Sequence, residues 1–163
     1  MPTKLKNEIA RELDQMAADA PSAEDLMTYI VGRLKENLPK YNWVGFYMIE
    51  KPASPADEPM LVLGPYVGAV TPHTRIPLNQ GICGAAASSG HTVIVDDVNS
   101  DPRYLACSIE TKSEIVVPIC VRGQVVGELD IDSHFLAAFT PEDRALVEYG
   151  AQLVGKFFET HPV

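Results

Sequence analysis

Residues 111–133, TKSEIVVPICVRGQVVGELDIDS, constrain the fold more than any other stretch of this chain. Two runs rich in β-branched residues, EIVVPICV and VVGELDID, flank the polar turn Arg122-Gly123-Gln124 and read as a β-hairpin. Side chains alternate in a strand, so Val125, Gly127, Leu129 and Ile131 share one face and Glu128, Asp130 and Asp132 the other. Carboxylates spaced i, i+2 at the end of an apolar strand must be solvated, paired or used. Glu114 joins that face only if the loop is odd in length. A three-residue loop over 122–124 sets Glu114 opposite Asp132, whereas a two-residue loop turns it to the other side. We expect the odd loop, because Glu114, Asp130 and Asp132 then line one pocket. A solvated sheet end is the alternative that spacing alone leaves open.

Helices bracket this hairpin. Leu5, Ile9, Leu13 and Met16 recur at helical spacing and read as a packing face, which also offers a homodimer contact. Ser22 with Asp25 reads as a capping box opening a second helix with the stripe Leu26, Tyr29, Ile30 and Leu34, which Pro39 stops. Thr140, Pro141 and Asp143 mark the start of a closing helix carrying Leu146, Tyr149, Leu153, Val154 and Phe157. Residues 42–49, NWVGFYMI, are apolar on both faces and read as a central strand, with 60–67 as its neighbour. Trp43, Gly45 and Tyr47 share a face, where the rings serve either as core or as the wall of a small-ligand pocket. The middle is irregular: a GICG turn around Cys83, a short helix over 85–88, a strand over 92–95 and a loop or single turn over 96–104.

This order predicts an α+β fold: a central antiparallel sheet, with the first two helices and the last on one face. The Cys83 and Cys107 segments then form a lid over a pocket on the other face. We expect one domain over 1–163, with helices over 1–39, sheet and lid over 40–139 and the closing helix over 140–158. A net charge of −9 argues against a nucleic-acid or anionic-membrane surface. No apolar run approaches the roughly 20 residues of a membrane span, and the N-terminus lacks a signal-peptide core, so a cytoplasmic protein is expected. The three cysteines are odd in number, and a disulfide in that compartment is redox-linked rather than structural. The four histidines form no HxH or HxxxH pair and there is no CxxC, so spacing signals neither metal nor cofactor. GICG also lacks the Lys-Ser/Thr of a phosphate-binding loop.

The segments NWVGFY, LVLGPY, RIPL, GICG, DDV, YLAC, SEIVVPI and VGELDIDS, then FT and ED before a helix, resemble a GAF domain. More narrowly they resemble the free methionine-(R)-sulfoxide reductases built on that fold. The resemblance implies Cys107 as nucleophile, Cys83 as resolving cysteine, and Glu114, Asp130 and Asp132 as catalytic and substrate-binding acids. It implies Trp43 and Tyr47 as the aromatic wall. Two departures stand out. His73 occupies the place of a third cysteine that many members carry, and Arg103-Tyr104 precede Cys107 where a Gly-His pair is usual.

The implied chemistry suits these residue types. A thiolate attacks the sulfoxide sulfur while an acid protonates the departing oxygen. Carboxyls held close together raise one another's pKa, and those that stay ionised hold the substrate's ammonium group. Attack leaves a sulfenic acid on Cys107 that condenses with Cys83 to a disulfide, which a thioredoxin-like dithiol recycles. Cys120, mid-strand, reads as a small buried hydrophobe. The rival reading is a stand-alone GAF module that binds a small polar ligand without catalysis.

Overall fold

A computed structural model of the chain describes residues 2–161 apart from 53, 55 and 105–108. Helix α1 (Pro2–Asp19) buries Ile9 and Leu13 and leaves Leu5 exposed. Both buried residues belong to the core shared with the second and last helices, so these two positions serve as the packing face the stripe predicts. Helix α2 (Ala23–Asn37) starts at Ser22, whose hydroxyl accepts the Asp25 N–H at 3.1 Å, and buries Leu26, Ile30 and Leu34. Helix α4 (Pro141–Thr160) starts at a full capping box, Thr140 and Asp143 each accepting the other's backbone N–H. Asp143 also accepts the Tyr41 hydroxyl at 2.5 Å and pairs with Lys6 at 3.1 Å. One carboxylate therefore ties the start of α4 to α1 and to the entry of the sheet.

The sheet has six strands: β1 (Trp43–Glu50), β2 (Met60–Val67), β3 (Arg75–Pro77), β4 (Val93–Val95), β5 (Ser113–Val121) and β6 (Gln124–Ser133). They lie in the order β3-β2-β1-β6-β5-β4, each pair of neighbours antiparallel. Val44, Phe46, Ile115, Val117, Ile119, Leu129 and Ile131 point to one face, under α1, α2 and α4. Trp43, Tyr47 and Val116 point to the other, under α3 (Gly81–Ser89) with Ile82, Cys83, Ala86 and Ala87. The three-helix side and the covered pocket side are as the residue pattern predicts.

Two local expectations are corrected. The GICG segment is the first turn of α3, not a turn preceding a shorter helix over 85–88. An added Cβ at Gly84 would lie 2.9 Å from the Leu78 carbonyl oxygen, so glycine lets the helix close onto the loop before it. The hairpin turn has two residues rather than three, Val121 pairing with Gln124 across Arg122 and Gly123, both at positive φ (50° and 80°). That turn alone would put Glu114 opposite Ile131. Between the pairs Ile119–Gly127 and Cys120–Val125, however, Val126 is an extra residue, a bulge that shifts the register by one. Glu114 therefore pairs with Asp132 after all. Cys120, at the outer end of β5 where the bulge breaks the alternation, is exposed and not the buried thiol expected.

Candidate active site

Three strands bring the acids and rings together. Asp132 of β6 lies between Trp43 of β1 and Glu114 of β5, and Asp130 lies between Gly45 and Val116. The space at Gly45 is filled by its neighbours: a Cβ there would overlap the Trp43 ring and come 2.8 Å from the Tyr66 Cβ. Trp43 stacks on Tyr66 with ring centroids 5.5 Å apart and on Tyr47 at 6.2 Å. The Trp43 indole N–H donates to the Ala69 carbonyl at 3.1 Å, and the Tyr47 hydroxyl to the His73 carbonyl at 2.7 Å. The two rings thus anchor the chain between β2 and β3 beside the acids. A cavity of about 230 Å³ lies there, lined by Trp43, Tyr47, Asp130 and Asp132. A second space of about 20 Å³ shares Tyr47 and Asp130 with it and adds Cys83, Glu114 and His73.

The carboxyls on this face are all buried: Glu114, Glu128, Asp130 and Asp132. Both oxygens of Glu128 and one each of Asp130 and Asp132 have no hydrogen-bond partner among the described residues. Burial, then the charges of Asp130 and Asp132, hold Glu114 well above the usual carboxylate range. Burial and the Asp130 charge do the same to Asp132 and Glu128. Asp130 is raised by burial, although hydrogen bonds from Glu114 and Cys83 pull it back. Burial and the crowding of like charges thus keep this cluster from ionising fully. Such a set can hold a cationic group and supply a proton from within one pocket.

Cys83 completes the arrangement from the first turn of α3, its thiol donating to Asp130 Oδ2 at 3.4 Å. Burial pushes this thiol up, and the negative charges of Asp130, Glu128 and Glu114 push it further. A thiol in that state is protonated at neutral pH and does not open a substitution at sulfur. It can act later, once a neighbour takes its proton. Cys107, the expected nucleophile, lies outside the described residues. Of the two residues that depart from the family pattern before it, Arg103 pairs with Asp101 at 2.6 Å and Tyr104 packs against the pocket-side core.

Trp43, Tyr47, Cys83, Glu114, Asp130 and Asp132 are thus brought together. Sequence reasoning assigned no role to Glu128, although its place in the alternation with Asp130 and Asp132 is plain. What the pattern does not show is that a helix covers it. Two rim contacts also had no signal. Asn42 donates its N–H to the Asp132 carbonyl at 3.0 Å while its side chain accepts the His134 N–H at 2.7 Å. Glu110 lies 3.6 Å from the His134 ring, an ion pair when that ring is protonated.

The sequence profile of the GAF domain family matches residues 23–156. The chain is 34% identical to the free methionine-R-sulfoxide reductase of Escherichia coli (strain K12), over 93% of this chain and 87% of that one. The structure of free methionine-R-sulfoxide reductase from Neisseria meningitidis, in complex with its substrate, superposes with a TM-score of 0.89. That protein is 33% identical, and the match covers 100% of this chain and 95% of that one. The type II free methionine-R-sulfoxide reductase from Thermoplasma acidophilum is 40% identical, covers 85% of this chain and 93% of its own, and gives a TM-score of 0.77. With likeness of this extent in sequence and in fold, the chain belongs to the GAF-domain family of free methionine-R-sulfoxide reductases.

Proposed function

We propose that this protein reduces free L-methionine-(R)-sulfoxide to L-methionine, with residues 1–163 acting as one catalytic domain. One juxtaposition carries the reading: an aromatic-walled cavity of about 230 Å³ lined by buried acids, with a thiol against one of them. The cavity is smaller than those that hold drug-sized ligands, which suits a single amino acid. Ionised Asp130 takes the ammonium group, and Trp43 and Tyr47 enclose the methyl–sulfur end. Cys107 attacks the sulfoxide sulfur as a thiolate while the Glu114–Asp132 pair protonates the sulfoxide oxygen. The oxygen passes to Cys107 as a sulfenic acid. The substrate sulfur gains two electrons and the cysteine sulfur loses two.

Resolution follows once methionine has left. The Cys83 proton passes to Asp130, the Cys83 sulfur displaces hydroxide from the Cys107 sulfenic acid, and a proton from the acids releases it as water. The Cys83–Cys107 disulfide is then reduced by an external thioredoxin-like dithiol. A reducing compartment such as the cytoplasm keeps both thiols ready between turnovers. The test is a thiol count after L-methionine-(R)-sulfoxide is added to reduced protein with no reductant present. Loss of the Cys83 and Cys107 thiols with formation of methionine is the expected result. A GAF module that only binds its ligand would keep every thiol.

A further inference from the structure

The donor set around the smaller cavity has chemistry beyond thiol redox. Cys83 Sγ, a Glu114 oxygen and an Asp130 oxygen all lie within 4.8 Å of one another, and all three residues are buried. We propose that Cys83, Glu114 and Asp130 form a binding site for a borderline-soft divalent cation of the Zn²⁺ class, which withdraws Cys83 from chemistry while it is bound.

Three observations support this site. The first is spacing. A tetrahedral zinc ion with one sulfur near 2.3 Å and one oxygen near 2.0 Å sets those atoms roughly 3.5 Å apart. The separation of Cys83 Sγ and Asp130 Oδ2 is 3.4 Å. The second is unmet coordination capacity. Asp130 Oδ1 has no hydrogen-bond partner among the described residues although Asp130 is only 4% exposed, and this side chain lines the cavity. Glu128, two positions earlier on the same strand face, is fully buried with both oxygens unpartnered among the described residues. The third is room. The cavity that Cys83, Glu114 and Asp130 line measures about 20 Å³, which admits an ion or one water rather than an organic ligand.

The donor types choose among cations. Mg²⁺ and Ca²⁺ take six or more oxygen ligands, and a thiolate in a set of three donors selects against both. Zn²⁺ accepts sulfur with carboxylate oxygens in four-coordination, leaving its fourth position to water. The thiol binds as thiolate and its proton goes to solvent. The sequence shows no zinc spacing because the donors come from one helix and two strands, at positions 83, 114 and 130. On the reductase reading given above, a cation here also occupies Asp130 and blocks both substrate binding and resolution, so free Zn²⁺ inhibits reversibly.

The experiment uses the full chain, reduced and with Cys120→Ser to remove the exposed thiol, titrated with Zn²⁺ alone in a calorimeter. About one equivalent should bind. Cys83→Ser and Asp130→Asn should each weaken binding at least about 100-fold, since even outer-shell changes cost 10–100-fold. Circular dichroism confirms that each variant is folded. Co²⁺ in place of Zn²⁺ should give a sulfur-to-metal charge-transfer band in the near ultraviolet that Cys83→Ser abolishes. Failure to bind at millimolar Zn²⁺, or binding and a band that survive Cys83→Ser, overturns the site. Binding through these residues in a protein that never reduces the sulfoxide keeps the metal site and sinks the reductase reading. Turnover without Zn²⁺ binding does the reverse.

Discussion

Asp132 lies between an aromatic ring and a second acid, with Trp43 on one neighbouring strand and Glu114 on the other. Asp132→Asn keeps the shape of the side chain and removes its part in proton transfer. Turnover should fall at least about 100-fold, the low end for loss of an acid catalyst, with far-ultraviolet circular dichroism unchanged. Unchanged turnover would remove Asp132 from the mechanism. The thiols divide the work in a way that single-turnover chemistry can read. Cys107→Ser should form no methionine at all. Cys83→Ser, whose parent thiol is protonated and set against Asp130, should convert about one equivalent and then stall or recycle slowly with small thiols. Cys120→Ser should change neither phase, because that side chain is exposed on the outer end of β5. If Cys83→Ser lost the first turnover and Cys107→Ser kept it, the roles would be reversed.

Among the elements, α4 shows how one buried carboxylate can hold a helix in place. Burial raises the pKa of Asp143, but hydrogen bonds from Tyr41, Thr140 and Lys6 outweigh it and leave the group below its usual value. A depressed folded-state pKa stabilises the fold above the unfolded value, near 3.9, and that contribution is lost as pH falls through the folded value. Asp143→Asn exchanges one of the two acceptor oxygens for an NH2 donor and removes the Lys6 ion pair, and should cost about 1–3 kcal/mol at neutral pH. Urea unfolding at several pH values should show that gap holding above about pH 5 and narrowing below about pH 4. A gap independent of pH would mean that the cost comes from the exchanged acceptor oxygen and not from the carboxylate's charge. The hairpin depends in the same way on a single residue, since the Val126 bulge sets which acid faces which.

Across the whole molecule the two faces of the sheet do opposite things. The helix side buries Leu13, Leu26, Ile30 and Leu34 completely, each contributing roughly 1.5–3 kcal/mol. The pocket side buries four carboxyls, a cost rather than a gain wherever their oxygens lack partners. Stability supplied on one face thus supports a strained electrostatic set on the other. A ligand that brings an ammonium group into that set should stabilise the entire fold. At 100 times its Kd, L-methionine-(R)-sulfoxide should add about 2.7 kcal/mol to unfolding. For a chain of this size that is a rise of very roughly 5–10 °C in Tm, read by differential scanning calorimetry on the Cys107→Ser protein so that no turnover intervenes. The (S) epimer at the same concentration should give a smaller shift. Equal shifts would mean that the pocket does not read the configuration at sulfur.

The helix starts and the strand alternation were legible in the residues themselves. Ser22, Thr140 and Asp143 sit at helix starts because their side chains satisfy backbone N–H groups a few residues away. The two-residue alternation of Glu128, Asp130 and Asp132 put them on one face, since the pleat leaves no other choice. Trp43 and Tyr47 shared a face for the same reason. Features that depend on distant segments came from packing alone. The three residues of β3 are too few to alternate, and they are a strand because β2 lies beside them. The loop parity argued for Glu114 led to the observed pairing through a compensation it did not contain, a shorter turn offset by a bulge. Cys83 meets Asp130 because α3 packs over the sheet, and nothing in a separation of 47 positions announces a contact of 3.4 Å. The same packing buries Glu128 and leaves its oxygens without partners among the described residues, although the carboxylate has an ordinary appearance in the sequence.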